Sequence, residues 1–188
     1  MSDSKIRGFL AIDLIGEDLI LNVLKFQEEL KKTKANIKYV EKENLHFTLK
    51  FFGDIDEETI SNISNIVKEA IKDFKPINIE ITGSGTFPNP DHIKTIWLGI
   101  AKNQQLLNLQ KSLDEKFKKL GFKKEKKYVS HLTVGRMKNP KNKREVKEVI
   151  QEFKNFSIGK MTISKISLKK SELTPKGPIY SDLKLFEL

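Results

Sequence analysis

Cysteine is absent from this 188-residue chain. That excludes disulfides, thiolate nucleophiles and Cys-based zinc sites. No run of about 18 apolar residues occurs, so no membrane-spanning helix is expected. Histidine is scarce, at 3 residues, and there is one tryptophan. Acid is in deficit: 35 Lys and Arg against 25 Asp and Glu leave a net charge of +10. Such a surplus favours an anionic partner, namely nucleic acid, nucleotide or an anionic surface, although lysine-rich surfaces also serve solubility. The opening Met1-Ser2-Asp3-Ser4-Lys5 runs directly into strand-like residues with no small-residue cleavage site, which reads as a cytoplasmic protein without a signal peptide. The length suits one large domain or two small lobes sharing a core.

What is present alternates between strand-like and helix-like stretches. Gly8–Leu14 reads as a short apolar strand, and 17–32 as a helix with Ile20, Val23, Leu24 and Leu30 inward. Residues 38–52 carry a strand or strand pair, and Gly53-Asp54-Ile55-Asp56 a turn with helix-capping chemistry. The next helix turns Ile60, Ile63, Val67, Ala70, Ile71 and Phe74 to one side, and Pro76 ends it. A strand at 77–81 leads to a Gly- and Pro-rich loop at 83–92, then a strand at 94–100. A helix at 103–120 has the stripe Leu106, Leu109, Leu113, Phe117 and Leu120. A basic loop at 123–127 precedes a further strand, and 144–153 forms a helix with Val146, Val149, Ile150 and Phe153 inward. The tail from 156 to 188 alternates as strands around Thr174-Pro175-Lys176-Gly177-Pro178. No linker or low-complexity tract separates the halves.

Two of the three histidines share one motif, His46-Phe47-Thr48 and His131-Leu132-Thr133, one in each half of the chain. Side chains alternate along a strand, so His46, Thr48 and Lys50 share one face about 7 Å apart per step, with Leu45, Phe47, Leu49 and Phe51 on the core face. Such polar rows also occur on ordinary solvated strands. The second copy changes the balance, because chance places Thr two residues after two of three histidines only about once in a hundred such chains. Each motif is followed by a turn and an amphipathic helix, a repeat that suggests two similar lobes facing each other. Arg136 stands five residues after His131 and would fall on the opposite face under strict alternation, but Gly135 permits a bulge that re-aims it. Its guanidinium fork suits phosphate.

Displacement at phosphorus needs a proton acceptor on one side and a donor on the other. Imidazole, with an ordinary pKa near 6.5, serves as either. Thr48, Thr133, Arg136 and Lys50 would steady the remaining oxygens. His92, beside Asp91, reads as an exposed loop residue; His46 and His131 lack the helical spacing of a metal site, and no cofactor is expected. Phe87 and Trp97 read as core or loop-base residues, with nucleobase stacking as the alternative.

The stretches Arg7-Gly8-Phe9-Leu10-Ala11-Ile12, Asn44-Leu45-His46-Phe47-Thr48-Leu49-Lys50-Phe51-Phe52-Gly53, Ile96-Trp97-Leu98-Gly99 and His131-Leu132-Thr133-Val134-Gly135-Arg136, with Leu168–Leu173, Gly177 and Tyr180, together resemble the two-histidine (2H) phosphoesterases. The resembling branch is the RNA 2′,3′-cyclic phosphodiesterases, also called LigT or ThpR proteins and 2′-5′ RNA ligases. The match spans nearly the whole chain in the right order; Gly135 departs from it, a bulkier residue being frequent there. The resemblance implies a single bilobal α+β domain over residues 1–188, with two antiparallel sheets lining a central cleft and helices on their outer faces. It implies metal-independent hydrolysis of a 2′,3′-cyclic phosphate RNA end to a 2′-phosphomonoester, with His46 as proton donor to the 3′ oxygen and His131 as the base that activates water. Thr48 and Thr133 would bind the phosphate, and Arg136 fits the same pattern. Three other functions fit the residues: ligation by the reverse displacement, action on a small cyclic nucleotide, and non-catalytic RNA binding on the basic surface. A monomer acting on RNA, away from membranes, is expected.

Overall fold

The computed structural model describes residues 5–175 and 177–188. The reading of Met1–Ser4, and the Lys176 position of the turn at 174–178, lie outside the described residues. The elements in chain order are β1 (Ile6–Asp13), α1 (Glu17–Lys32), β2 (Ile37–Tyr39), β3 (His46–Ile55), α2 (Glu57–Ile71), β4 (Ile77–Asn89), β5 (His92–Ile100), α3 (Gln104–Lys118), β6 (His131–Met137), α4 (Lys143–Glu152), β7 (Ser157–Ile163), β8 (Lys165–Thr174) and β9 (Gly177–Glu187). The α+β class expected from the sequence is what forms.

The sheet is antiparallel, in the order β7-β4-β5-β6-β3-β1-β8-β9, with β2 added to β6. Two sheets were expected. The structure instead shows two four-stranded halves joined between β3 and β6 through the pair Phe47↔Leu132. Both of these side chains are fully buried, so the join belongs to the core and the halves curl away from it. A strand–helix–strand–helix unit occurs twice, as β1-α1-β3-α2 and β5-α3-β6-α4. The first helix of each unit crosses over: α1 packs on β6, β7 and α4, whereas α3 packs on α2. Each half is therefore covered by helices from both repeats.

Local chemistry explains the element ends. The Asp56 carboxylate accepts from the Thr59 N–H at 2.8 Å and starts α2. Strand β3 runs to Ile55, so the expected turn at 53–56 shrinks to this cap. Asn103 caps α3 in the same way, through the Leu106 N–H at 3.0 Å. The stripe of α2 buries Ile63, Val67, Ala70 and Ile71 as its pattern required. That of α1 runs instead through Leu19, Val23, Phe26 and Leu30; Ile20 and Leu24 sit at its margin. Helix α3 stops at Lys118, which leaves Leu120 exposed rather than in the stripe.

The Gly- and Pro-rich stretch 83–92 is not a loop. Strand β4 continues through it to Asn89, pairing Ser84↔Leu98, Gly85↔Trp97 and Thr86↔Ile96 with β5. The glycine there serves close approach rather than a turn: a Cβ on Gly85 would come within 2.3 Å of the Trp97 ring. The reversal falls at Asn89–His92, where the Asn89 side chain accepts from the Asp91 and His92 N–H groups at 3.0 and 2.9 Å. His92 opens β5 and is exposed, as expected of it, although on a strand.

Candidate active site

Strands β3 and β6 carry the repeated motifs past each other. Continuing the Phe47↔Leu132 register sets His46 opposite Thr133 and Thr48 opposite His131. The two histidines are then diagonal neighbours, on the order of 7–8 Å apart at the sheet surface. His46, Thr48, His131, Thr133 and Arg136 all line one open cavity of about 1070 Å³.

Each imidazole is oriented by its own chain. His46 Nδ1 lies 2.7 Å from the Asn44 carbonyl oxygen, and His131 Nδ1 lies 2.8 Å from the Val129 carbonyl oxygen. A carbonyl only accepts, so Nδ1 carries the proton in both, and Nε2 is the atom left for chemistry. Aromatic rings brace them. Tyr180 meets His46 edge-on at 5.2 Å and Phe9 lies 5.1 Å from it. Phe87 meets His131 edge-on at 4.9 Å, with Trp97 at 6.3 Å. Burial lowers the pKa of both imidazoles. At His46 the Asn44 carbonyl and Asp13 oppose this, while Lys169 and His131 add to it; at His131 the Val129 carbonyl opposes it and Arg136 adds to it.

Both motif strands carry a bulge just after the threonine. On β6 the pairing passes from Trp97↔Thr133 to Ile96↔Gly135, skipping Val134. On β3 it passes from Ala11↔Thr48 to Leu10↔Lys50, skipping Leu49. The extra residue returns the fifth position after each histidine to the cleft side. In one copy that position is Arg136, as the Gly135 argument required; its guanidinium donates to Thr95 Oγ1 at 3.1 Å. In the other it is Phe51, which was expected in the core but is 55% exposed at the cavity wall.

The same bulge takes Lys50 out of the row. Its ammonium is buried, pairs with Asp114 of α3 at 2.5 Å and also donates to the Lys123 carbonyl. Lys50 borders the cavity, but its charge is committed to holding α3 and the loop after it. Sequence reasoning missed Phe51, Lys38, Tyr39 and Lys138 on the wall. Lys38 and Tyr39 come from the three-residue strand β2, too short to leave a periodic signal. Among the described residues, no group of three or more His, Cys, Asp or Glu side chains is placed to hold a metal ion, and no helix is long and apolar enough to cross a membrane.

Two His-x-Thr strands facing one cavity define a 2H-type site on an α+β scaffold. A family model described as the 2′-5′ RNA ligase superfamily matches residues 22–174. The chain belongs to that superfamily of 2H phosphoesterases. It is 48% identical over 184 residues to an RNA 2′,3′-cyclic phosphodiesterase of Methanothermobacter thermautotrophicus, covering 98% of this chain and 100% of the relative. It is 46% identical to a protein of the same name from Methanocaldococcus jannaschii, covering 95% and 98% of the two chains. The fold is shared with TT0787 of Thermus thermophilus (TM-score 0.82, 24% identity, covering 97% and 98%). It is shared too with Escherichia coli LigT, solved in complex with 3′-AMP (TM-score 0.75, 20% identity, covering 98% of each chain).

Proposed function

We propose that this chain hydrolyses RNA 2′,3′-cyclic phosphate ends to 2′-phosphomonoesters by acid–base catalysis between His46 and His131. The observation that supports it best is that the imidazoles of His46 and His131 line one cavity from adjacent strands, each with Nδ1 tied to a main-chain carbonyl. Relatives at 40–48% identity that carry the name RNA 2′,3′-cyclic phosphodiesterase support the substrate class.

In this reading His131 Nε2 takes a proton from water as its oxygen bonds to phosphorus. The P–O3′ bond breaks on the opposite side, and the His46 Nε2–H protonates the departing 3′ oxygen. The product keeps the phosphate on the 2′ oxygen and carries a free 3′ hydroxyl. Exchange with solvent returns both imidazoles to their starting state. The Thr48 and Thr133 hydroxyls and the Arg136 guanidinium hold the non-bridging oxygens as negative charge shifts. Arg7, Lys38, Lys127 and Lys138 on the same wall attract the RNA backbone. One chain supplies every one of these groups, so residues 1–188 act as a single monomeric unit, and we place the enzyme in the cytoplasm with its RNA.

The test is product analysis on an end-labelled RNA bearing a 2′,3′-cyclic phosphate, with and without EDTA and with a 5′-hydroxyl acceptor present. A 2′-phosphate product in both conditions is expected. A joined product dominating would favour ligation, binding without turnover would reduce the chain to a binding module, and loss of turnover in EDTA would remove the metal-free mechanism.

A further inference from the structure

Besides Arg136 standing where the other copy has Phe51, the pseudo-symmetry of the site breaks at the residue across the sheet from each histidine. Strand β1 sets Asp13 opposite His46, whereas β5 sets Gly99 opposite His131. Register partners in an antiparallel ladder project to the same face, so a carboxylate accompanies one imidazole and no side chain accompanies the other.

Asp13 is held in place. Lys169 of β8, 8% exposed, reaches Asp13 at 2.9 Å and Asp182 of β9 at 2.6 Å. Ser167 Oγ lies 3.3 Å from the same Asp13 oxygen. Lys169 is shared between Asp13 and Asp182, so it offsets the Asp13 carboxylate beside His46 only in part: Asp13 raises the pKa of His46 and Lys169 lowers it. The other charged or titratable groups facing His46 are Tyr180 on β9, itself near Arg7 and Arg136, and His131 on β6. At His131 the charged neighbour is Arg136, a cation.

We infer that Asp13, fixed by Lys169, is the positioning residue that makes His46 the proton donor and leaves His131 as the base. This rests on the proposed acid–base pair and explains its direction, which the paired motifs alone do not. The Asp13 carboxylate favours imidazolium at His46, against the burial that lowers the pKa of both rings. A cation beside His131 favours the neutral ring there. Asp13 touches no substrate; it acts through His46.

The test is NMR titration of the His46 and His131 ring protons in the whole protein, beside the pH profile of kcat/KM. In Asp13→Asn the His46 midpoint should fall by roughly half a pH unit or more, and Asp13→Glu should restore it. In Lys169→Gln, which frees the carboxylates, the His46 midpoint should rise. His131 should move clearly less than His46 in each variant, and the kinetic limb that matches His46 should move most. A His46 midpoint unmoved by Asp13→Asn, one that falls in both variants, or histidines that shift by equal amounts would overturn the assignment. If Lys169→Gln does not fold, the Asp13→Asn and Asp13→Glu pair decides alone. The titration needs no turnover, so failure of the acid–base reading would show separately, as activity retained in His46→Ala.

Discussion

Phe47 and Leu132 face each other as the one ladder pair between β3 and β6 among the described residues, and both are fully buried. Each has a motif histidine as its sequence neighbour. The distance between the imidazoles is therefore set at this contact rather than by either half alone. Leu132→Ala should destabilise the protein by about 2–5 kcal/mol as a core truncation. It should also lower kcat more than it alters KM, since it loosens the geometry of the displacement. Thermal melts and steady-state kinetics on one preparation check both effects.

Burial lowers the pKa of both imidazoles in the free enzyme. The profile of kcat/KM should therefore be a bell centred below the ordinary histidine value of about 6.5. A bound anionic phosphate favours protonated imidazole, so the kcat profile should lie at higher pH. Stability follows the same sign. With folded values below unfolded ones, the folded state binds fewer protons, so this contribution is present above about pH 6.5 and is lost as the pH falls through the folded values. A His46→Gln/His131→Gln double variant should lose less stability than the wild type between pH 7 and pH 5, measured by urea titration at each pH.

Lys50 and Asp114 form a buried pair whose ends are each 3% exposed in their side chains. Removing one partner strands the other charge, at a cost of about 3–5 kcal/mol. Glu125, 3.8 Å from Lys50, offsets part of that in Asp114→Ala. The expected outcome is a clear fall in Tm with kcat per folded molecule retained, because the Lys50 ammonium is committed to α3 and the loop after it. A loss of kcat without a loss of Tm would return Lys50 to the catalytic row.

Much of this was legible beforehand. Period-2 alternation found both motif strands, helical periodicity found the four helices, and Gly135 foretold the bulge that re-aims Arg136. The β3 bulge left no such mark: Leu49 is an ordinary strand residue, so nothing warned that Phe51 would face the cleft and Lys50 the core side. The stretch 83–92 misled because glycine has two uses, and here it makes room for Trp97. Asp13 was invisible as a partner of His46, since pairing across 32 intervening positions is a tertiary fact.

Trp97 is the single tryptophan and lies against Phe87, which in turn braces His131. Gly85→Ala would drive a methyl into the indole ring. Overpacking of this kind costs about 1–3 kcal/mol. A shift in tryptophan emission should accompany it, with kcat reduced through the displaced Phe87 and His131. Unchanged emission would mean that the backbone absorbs the methyl instead.

Single-turnover hydrolysis of an RNA 2′,3′-cyclic phosphate end by His46→Ala and by His131→Ala, each beside the wild type at saturating enzyme, tests the two-imidazole site most directly. Each substitution is expected to slow the chemical step by about 10²–10⁴-fold while leaving binding of the 2′-phosphate product within a few-fold. Wild-type rates in either variant would contradict the pairing of these two histidines across one phosphorus.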